Sequence, residues 1–305
     1  MPVTQLMRVV LTVSDLERST EFFREGLGLH VGAAARFCEP AWNKLLGLDE
    51  GTVIRTADIC FEREVLKLAA FEPPGSLYPE PRASNDLWFE HVALVAGDIE
   101  MVWSRLEKVK PETVTAGSPV LLPPNTGSVT AFKFRDPEGH PLELISFPQG
   151  VGDPRWQQGE GGIRGYDHTA IVVSDLGRSI AFYTDVLGMR VGGRSLNRGP
   201  EQDRLDGLDQ CEVDVVALQP RQQPTPHVEL LHYRTPQATA NRLPPNAHDV
   251  ASVRQVHKVD GLASLAARLK GSGAVFVSDG IVALGTAGKG AAVRDPDGHI
   301  VVLME

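Results

Sequence analysis

Few kinds of residue in this 305-residue chain are equipped for covalent or metal chemistry. Three cysteines, Cys38, Cys60 and Cys211, are odd in number and far apart, so they compose neither a disulfide framework nor a metal cluster. No G-x-x-x-x-G-K-[ST] run occurs, and no glycine-rich turn joins a strand to a helix, which removes the usual nucleotide cradles. What remains are nine histidines and the carboxylates. Imidazole and carboxylate on adjacent strands suit a divalent first-row metal such as Mn, Fe, Co, Ni or Zn. A lone histidine on a strand is more often a packed structural residue. The deciding question is therefore which elements carry histidines and carboxylates to equivalent positions.

The elements repeat. Shifting the sequence by 160 residues lays VVLTVSDLERSTEFFREGLGLHVG (9–32) on TAIVVSDLGRSIAFYTDVLGMRVG (169–192), with 11 of 24 positions identical. At an offset of 159, the run Arg135-Asp-Pro-Glu-Gly-His140 recurs as Arg294-Asp-Pro-Asp-Gly-His299. Each half divides again. A short apolar strand (9–13) leads into Ser14-Asp15 as a helix N-cap, with Gly28 as the stop. A comparable strand precedes Gly97-Asp98 and a helix, and another precedes Asp260 and a helix. Four apolar closing strands align without gaps at 66–71, 142–147, 228–233 and 301–305. The chain thus reads as four βαβββ units, at 5–72, 88–148, 165–234 and 250–305. They are grouped into halves 1–148 and 165–305 by a linker at 149–164, within a stretch (148–165) of six glycines and two prolines.

The βαβββ repeat, the openings V-S-D-L-E-R-S-T-E-F-F and V-S-D-L-G-R-S-I-A-F-Y, and the closing D-P-E-G-H-P-L-E together resemble the vicinal oxygen chelate superfamily. It contains glyoxalase I, bleomycin-resistance proteins, methylmalonyl-CoA epimerase and extradiol dioxygenases. The resemblance implies an α+β fold in which units pair into two eight-stranded, cup-shaped mixed sheets of the glyoxalase/dioxygenase type. In such a cup each unit gives one metal ligand from its first strand and one from its last. Those positions hold Arg8 and Lys67 in unit one, His91 and Glu143 in unit two, and His168 and Glu229 in unit three. In unit four they hold Arg254 or Val253, according to the alignment chosen, and Val302.

Only the middle units carry ligand-type side chains, so a single four-ligand site requires unit two to pair with unit three and unit one with unit four. The resemblance then implies one divalent metal ion held by His91, Glu143, His168 and Glu229, with Glu143 or Glu229 as general base and the metal as Lewis acid. The expected activity is that of an isomerase, epimerase or lyase acting on a small hydroxy-carbonyl substrate through a metal-stabilised enediolate. Glutathione-dependent glyoxalase I itself is usually built from fewer units. The alternative enzyme is an extradiol dioxygenase, against which stand Lys133 at the signature tyrosine position and the missing acidic ligand of unit four. The alternative outside catalysis is a metal-free drug-binding protein.

His140 and His299 lie in the D-P-x-G turns and read as structural. His227 shares strand parity with Glu229, which would let it line the site, although surface packing is the commoner outcome; His232 has the opposite parity and points away. Arg8, Lys67 and Arg254 read as salt-bridged to neighbouring carboxylates, with an anion in the second pocket as the alternative. A formal charge of −9 (30 Lys and Arg against 39 Asp and Glu) argues against nucleic acid and anionic membranes as partners. No apolar run approaches the ~20 residues of a membrane span. The expectation is a cytoplasmic monomer or homodimer.

Overall fold

In the computed structural model, residues 3–159, 161–238 and 244–305 are described. The four repeats open with strands Val3–Thr12, Glu90–Ala96, Ile163–Val172 and Val253–Val259. They close with strands Val65–Glu72, Pro141–Ser146, His227–Thr235 and Ile300–Met304. Within each repeat the closing strand runs parallel to the opening one. A parallel neighbour cannot be reached by a tight turn, so a helix must carry the chain across.

Those helices are Leu16–Glu25, Ile99–Leu106, Leu176–Ala181 and Leu262–Gly271. The first three start at an aspartate, Asp15, Asp98 or Asp175, whose carboxylate accepts an amide N–H from the first turn. In the first helix the buried positions Leu16, Ser19, Phe22 and Phe23 recur at helical spacing on one face. Gly28 follows with φ +71°, and a Cβ there would lie 2.4 Å from the Arg105 guanidinium. The left-handed backbone conformation is what calls for glycine here, since the arginine side chain could move aside.

Sheet order decides how the units pair. One sheet joins the opening strands of units two and three antiparallel at its centre, and the other joins those of units one and four. Each sheet has eight strands along its path and one short extra strand, Ala35–Phe37 or Val120–Leu121. The nested arrangement is thus the observed one, and the fold is α+β with two mixed sheets.

The helices follow a different grouping from the sheets. One apolar core gathers mainly units one and two, through Phe22, Phe23, Phe134, Leu142 and Leu144. A second gathers units three and four, through Tyr183, Leu187, Leu265 and Leu303. The D-P-x-G turns reinforce these halves. Glu138 accepts hydrogen bonds from the Ser14 amide and hydroxyl and from the Asp15 amide, so the turn of unit two holds the helix start of unit one. Asp297 of unit four does the same for Ser174 of unit three. Each half therefore packs as a body through its helices, while its strands belong to two different sheets.

The stretch read as a linker is more than a tether. It contains the 3-10 turn Pro154–Gln157, buries Trp156, and re-enters the sheet at Ile163. Among the described residues no helix is long and apolar enough to cross a membrane.

Candidate metal centre

The central strands of units two and three bring two histidines to one face of the sheet. His91 is opposite Ala170 and His168 is opposite Ala93 in the antiparallel register. Two small alanines leave room above the pleat for both rings, whose centroids are 5.6 Å apart. Flanking them, Glu143 lies beside Ala93 and Glu229 beside Ala170, in identical parallel registers. The four side chains therefore project into one cup with approximate two-fold symmetry.

His91, Glu143 and His168 place donor atoms all within 4.8 Å of one another, and all three are buried. His91 Nε2 lies 3.0 Å and His168 Nε2 3.7 Å from Glu143 Oε2. The His91 ring is not aligned to donate to that oxygen, and neither of its nitrogens has a hydrogen-bond partner among the described residues. A buried imidazole with no partner is costly unless something else takes its lone pair. Glu229 stands outside this trio. Its Oε2 is 3.5 Å from His168 Nε2 and its Oε1 is 3.5 Å from His227 Nε2.

Behind the site is a brace that the sequence reading missed. Asp167 Oδ2 is 3.1 Å from His168 Nδ1, and Asp167 Oδ1 accepts the indole N–H of Trp156 at 2.9 Å. This fixes the His168 ring so that Nε2 points into the cup, the usual outer support of a metal-binding histidine. His227 corrects its expected assignment to surface packing. It is buried with its ring centroid 5.5 Å from that of His168, and its Nδ1 is 3.8 Å from Asp167. Asp167, His168 and His227 also cluster closely. Asp167 is already committed to Trp156 and His168, which makes the group a support for the first cluster.

Electrostatics in the cup divide the histidines. Burial lowers the pKa of His91, with Lys133 adding to the effect and Glu143 opposing it. Burial also opposes charge on His168, but Glu229, Asp167 and Glu143 together hold its pKa well above the ordinary value. Glu143 is kept ionised against burial by His91, Lys133 and His168, and Glu229 by His168 and His227. Asp167 is drawn down to about 2 by its histidines and Trp156 despite its burial.

A cavity of about 320 Å³ opens above these residues. Among the residues lining it, the buried Lys133 ammonium lies 2.7 Å from Asp206, whose carboxylate also accepts from Gln202 and Tyr233. Lys133 pairs directly across from Glu143 in the sheet. Arg194, Ser195 and Asn197 line the cavity from the strand Arg190–Arg198.

His140 and His299 serve structure, as expected. His140 bridges Asp136 and the Val250 carbonyl, and His299 contacts Glu90 and the Val172 carbonyl. His232 is half-buried beside Asp214, away from the cup.

A sequence model of the Glyoxalase/Bleomycin resistance protein/Dioxygenase superfamily matches residues 5–144 and again 165–303. The chain belongs to this superfamily. Among solved structures, glyoxalase I from Zea mays is similar at 19% identity and a TM-score of 0.62, covering 99% of this chain and 92% of that one. A point mutant of the same maize enzyme gives 18%, 0.63, 99% and 94%. A proposed dioxygenase from Bacillus subtilis gives 13%, 0.61, 99% and 85%. No curated protein matches the chain in sequence. At these identities the likeness concerns the fold, which superfamily members with different reactions share. The maize enzyme is covered over nearly its whole length, so the number of units does not separate this chain from glyoxalase I.

Proposed function

We propose that this superfamily member is a divalent-metal-dependent isomerase, epimerase or lyase of the glyoxalase kind, acting on a small hydroxy-carbonyl substrate. The observation carrying this reading is the buried convergence of His91, Glu143 and His168, with His91 left without a hydrogen-bond partner among the described residues, at the floor of a cavity. Two imidazoles and a carboxylate fit a first-row divalent ion, and Glu229 stands close enough to complete the set. When bound, such an ion would act as a Lewis acid toward the adjacent oxygens of the substrate.

The chain's own residues supply the rest. Glu229 is the better general base of the two glutamates, because its side chain is 20% exposed toward the cavity while that of Glu143 is 7% exposed. It is held ionised and so begins the cycle ready to accept the proton next to the carbonyl at a carboxylate oxygen. Lys133, Asp206 and Tyr233 form a polar wall that orients substrate oxygens, and the apolar rim of Leu122, Ile145 and Phe147 limits water.

Elemental analysis and a thiol-hemiacetal isomerisation assay test this together. One ion per chain is expected, lost in Glu143→Gln. Glu229→Gln is expected to lower turnover by about 10²–10⁴-fold, the usual range for a general base. Failure to bind Mn, Fe(II), Co, Ni or Zn at any stoichiometry would remove the enzymatic reading in favour of ligand sequestration. Oxygen uptake with a catechol substrate would move the chain to the ring-cleaving alternative.

A further inference from the structure

The second cup, between units one and four, repeats the register of the first with different chemistry. Val256 pairs with Val302 and Val10 with Lys67, as Ala93 does with Glu143 and Ala170 with Glu229. Two residues earlier on each opening strand, Arg8 and Arg254 stand where the other cup has His168 and His91. Register thus selects Arg254 over Val253 as the equivalent position. In place of two histidines and two glutamates stand Arg8, Lys67, Arg254 and Val302, all lining a cavity of about 320 Å³.

The three cations are not equally satisfied. Lys67 is paired with Asp58. Arg8 is half-buried, with no ion pair to a described residue. Arg254 is buried at 2% exposure, and its hydrogen bonds to described residues all leave from Nη1, toward Thr12 Oγ1, the Ala247 carbonyl and Ser252 Oγ. Its guanidinium carbon is 5.6 Å from the Phe71 ring centroid. No described carboxylate forms a salt bridge with it, contrary to the expectation from sequence. Burial drives its pKa down, with Glu90 alone opposing. Since arginine keeps its proton in proteins, the buried charge is a standing demand for an anion.

The remaining lining narrows the ligand. Phe37, Trp42, Leu45, Ile54 and Phe71 present apolar surface, and Glu39 is exposed at the rim. We propose that this cup is a binding site for an organic monoanion, an apolar body carrying one carboxylate that meets the Arg254 guanidinium with Arg8 beside it. A phosphate dianion is the poorer match, because Lys67 is already paired with Asp58 and Glu39 adds a negative charge to the wall. Valine in place of alanine across the sheet, Val256 opposite Arg8 and Val10 opposite Arg254, fills the space that the other cup keeps above its histidines.

Calorimetric titration of the full chain with 4-phenylbutyrate, 4-phenylbutan-1-ol and inorganic phosphate tests the site. One carboxylate per chain is expected, bound at least about tenfold more tightly than the alcohol, as a charge-assisted hydrogen bond requires. Phosphate is expected to give no saturable heat. Ala69→Trp, which projects into the cavity, should abolish binding while metal uptake in the other cup persists. Arg254 also holds Thr12 and the Ala247 carbonyl, so Arg254→Met risks misfolding. Arg8→Met is the milder change and should weaken the carboxylate several-fold at unchanged melting temperature. Equal affinity for the alcohol, saturable phosphate binding, no carboxylate binding, binding that survives a folded Ala69→Trp, binding unmoved by Arg8→Met, or binding lost in Glu143→Gln would each overturn the proposal.

Discussion

Replacing Asp167 by asparagine perturbs the proposed metal site without touching any of the four side chains assigned to hold the ion. The carboxylate accepts Trp156 Nε1–H at 2.9 Å and sits 3.1 Å from His168 Nδ1. An asparagine can still accept from the indole, but toward His168 it presents an NH₂ group. That donor favours the tautomer with its proton on Nε2, the nitrogen facing Glu143 and Glu229. The form that can bind a metal, with its proton on Nδ1 and the Nε2 lone pair free, then loses the acceptor that supports it. Outer-shell losses of this type weaken metal binding by roughly 10–100-fold, or about 1.4–2.7 kcal/mol. At fixed metal concentration well above the dissociation constant, the stabilisation conferred by the ion falls by the same amount. With an unfolding entropy of roughly 2.1 cal/mol/K per residue over 305 residues, that is a loss of about 2–4 °C from the metal-induced rise in melting temperature. Competition with a chromophoric chelator gives the affinity, and melting curves with and without metal give the shift. Unchanged affinity in a folded Asp167→Asn protein would refute the argument that this carboxylate sets the ring.

Lys133→Met should destabilise the fold by about 3–5 kcal/mol in urea titrations, because it strands the Asp206 charge among Gln202 and Tyr233. The double change Lys133→Met, Asp206→Leu should recover only part of that loss, because Gln202 and Tyr233 then lose their acceptor. Glu138→Ala removes three hydrogen bonds to the start of the first helix and should cost about 1–3 kcal/mol, read in the same way. His299 has its pKa raised to about 9 against burial by Asp295 and Glu90. Its contribution is complete below the unfolded value near 6.5 and is lost as pH rises through 9, with a slope of up to about 1.4 kcal/mol per pH unit. Unfolding free energies of His299→Gln should be flatter than wild type across that window. His257 is the opposite case, since burial pushes its pKa down to about 3. Its neutral form favours the fold, so stability should fall as pH drops from about 6.5 toward 3, and His257→Gln should blunt the loss.

The repeat made much of the architecture legible. Identities such as Ser14/Ser174 and Gly28/Gly188 revealed the units, and the split of ligand-type residues between inner and outer units foreshadowed the nested sheets. What could not be read were contacts that depend on three dimensions. Asp167 precedes His168 by one residue and so projects to the opposite side of an ideal strand. The register irregularity between Tyr166 and His168 re-aims it behind the ring. Trp156 belonged to a stretch whose glycines signalled a linker, yet it is buried against the site. The Lys133–Asp206 pair joins residues 73 positions apart on different units, which no local pattern announces. Arg254 could be placed only once strand pairing fixed its equivalence to His91.

The crossed assignment of strands and helices also orders events in time. The cup that holds His91, Glu143, His168 and Glu229 is complete once the chain has grown through His227–Thr235, whereas Val3–Thr12, the earliest of the described strands, must await Val253–Val259 as its antiparallel partner. At roughly 5–20 residues per second that wait is on the order of 10–50 s. Throughout it, one side of the first strand offers unpaired amides and carbonyls to any passing chain. A ribosome-bound nascent chain would therefore hold a closed first cup and an open second cup at once. Strands Val253–Val259 and Ile300–Met304 would then lock the second sheet closed.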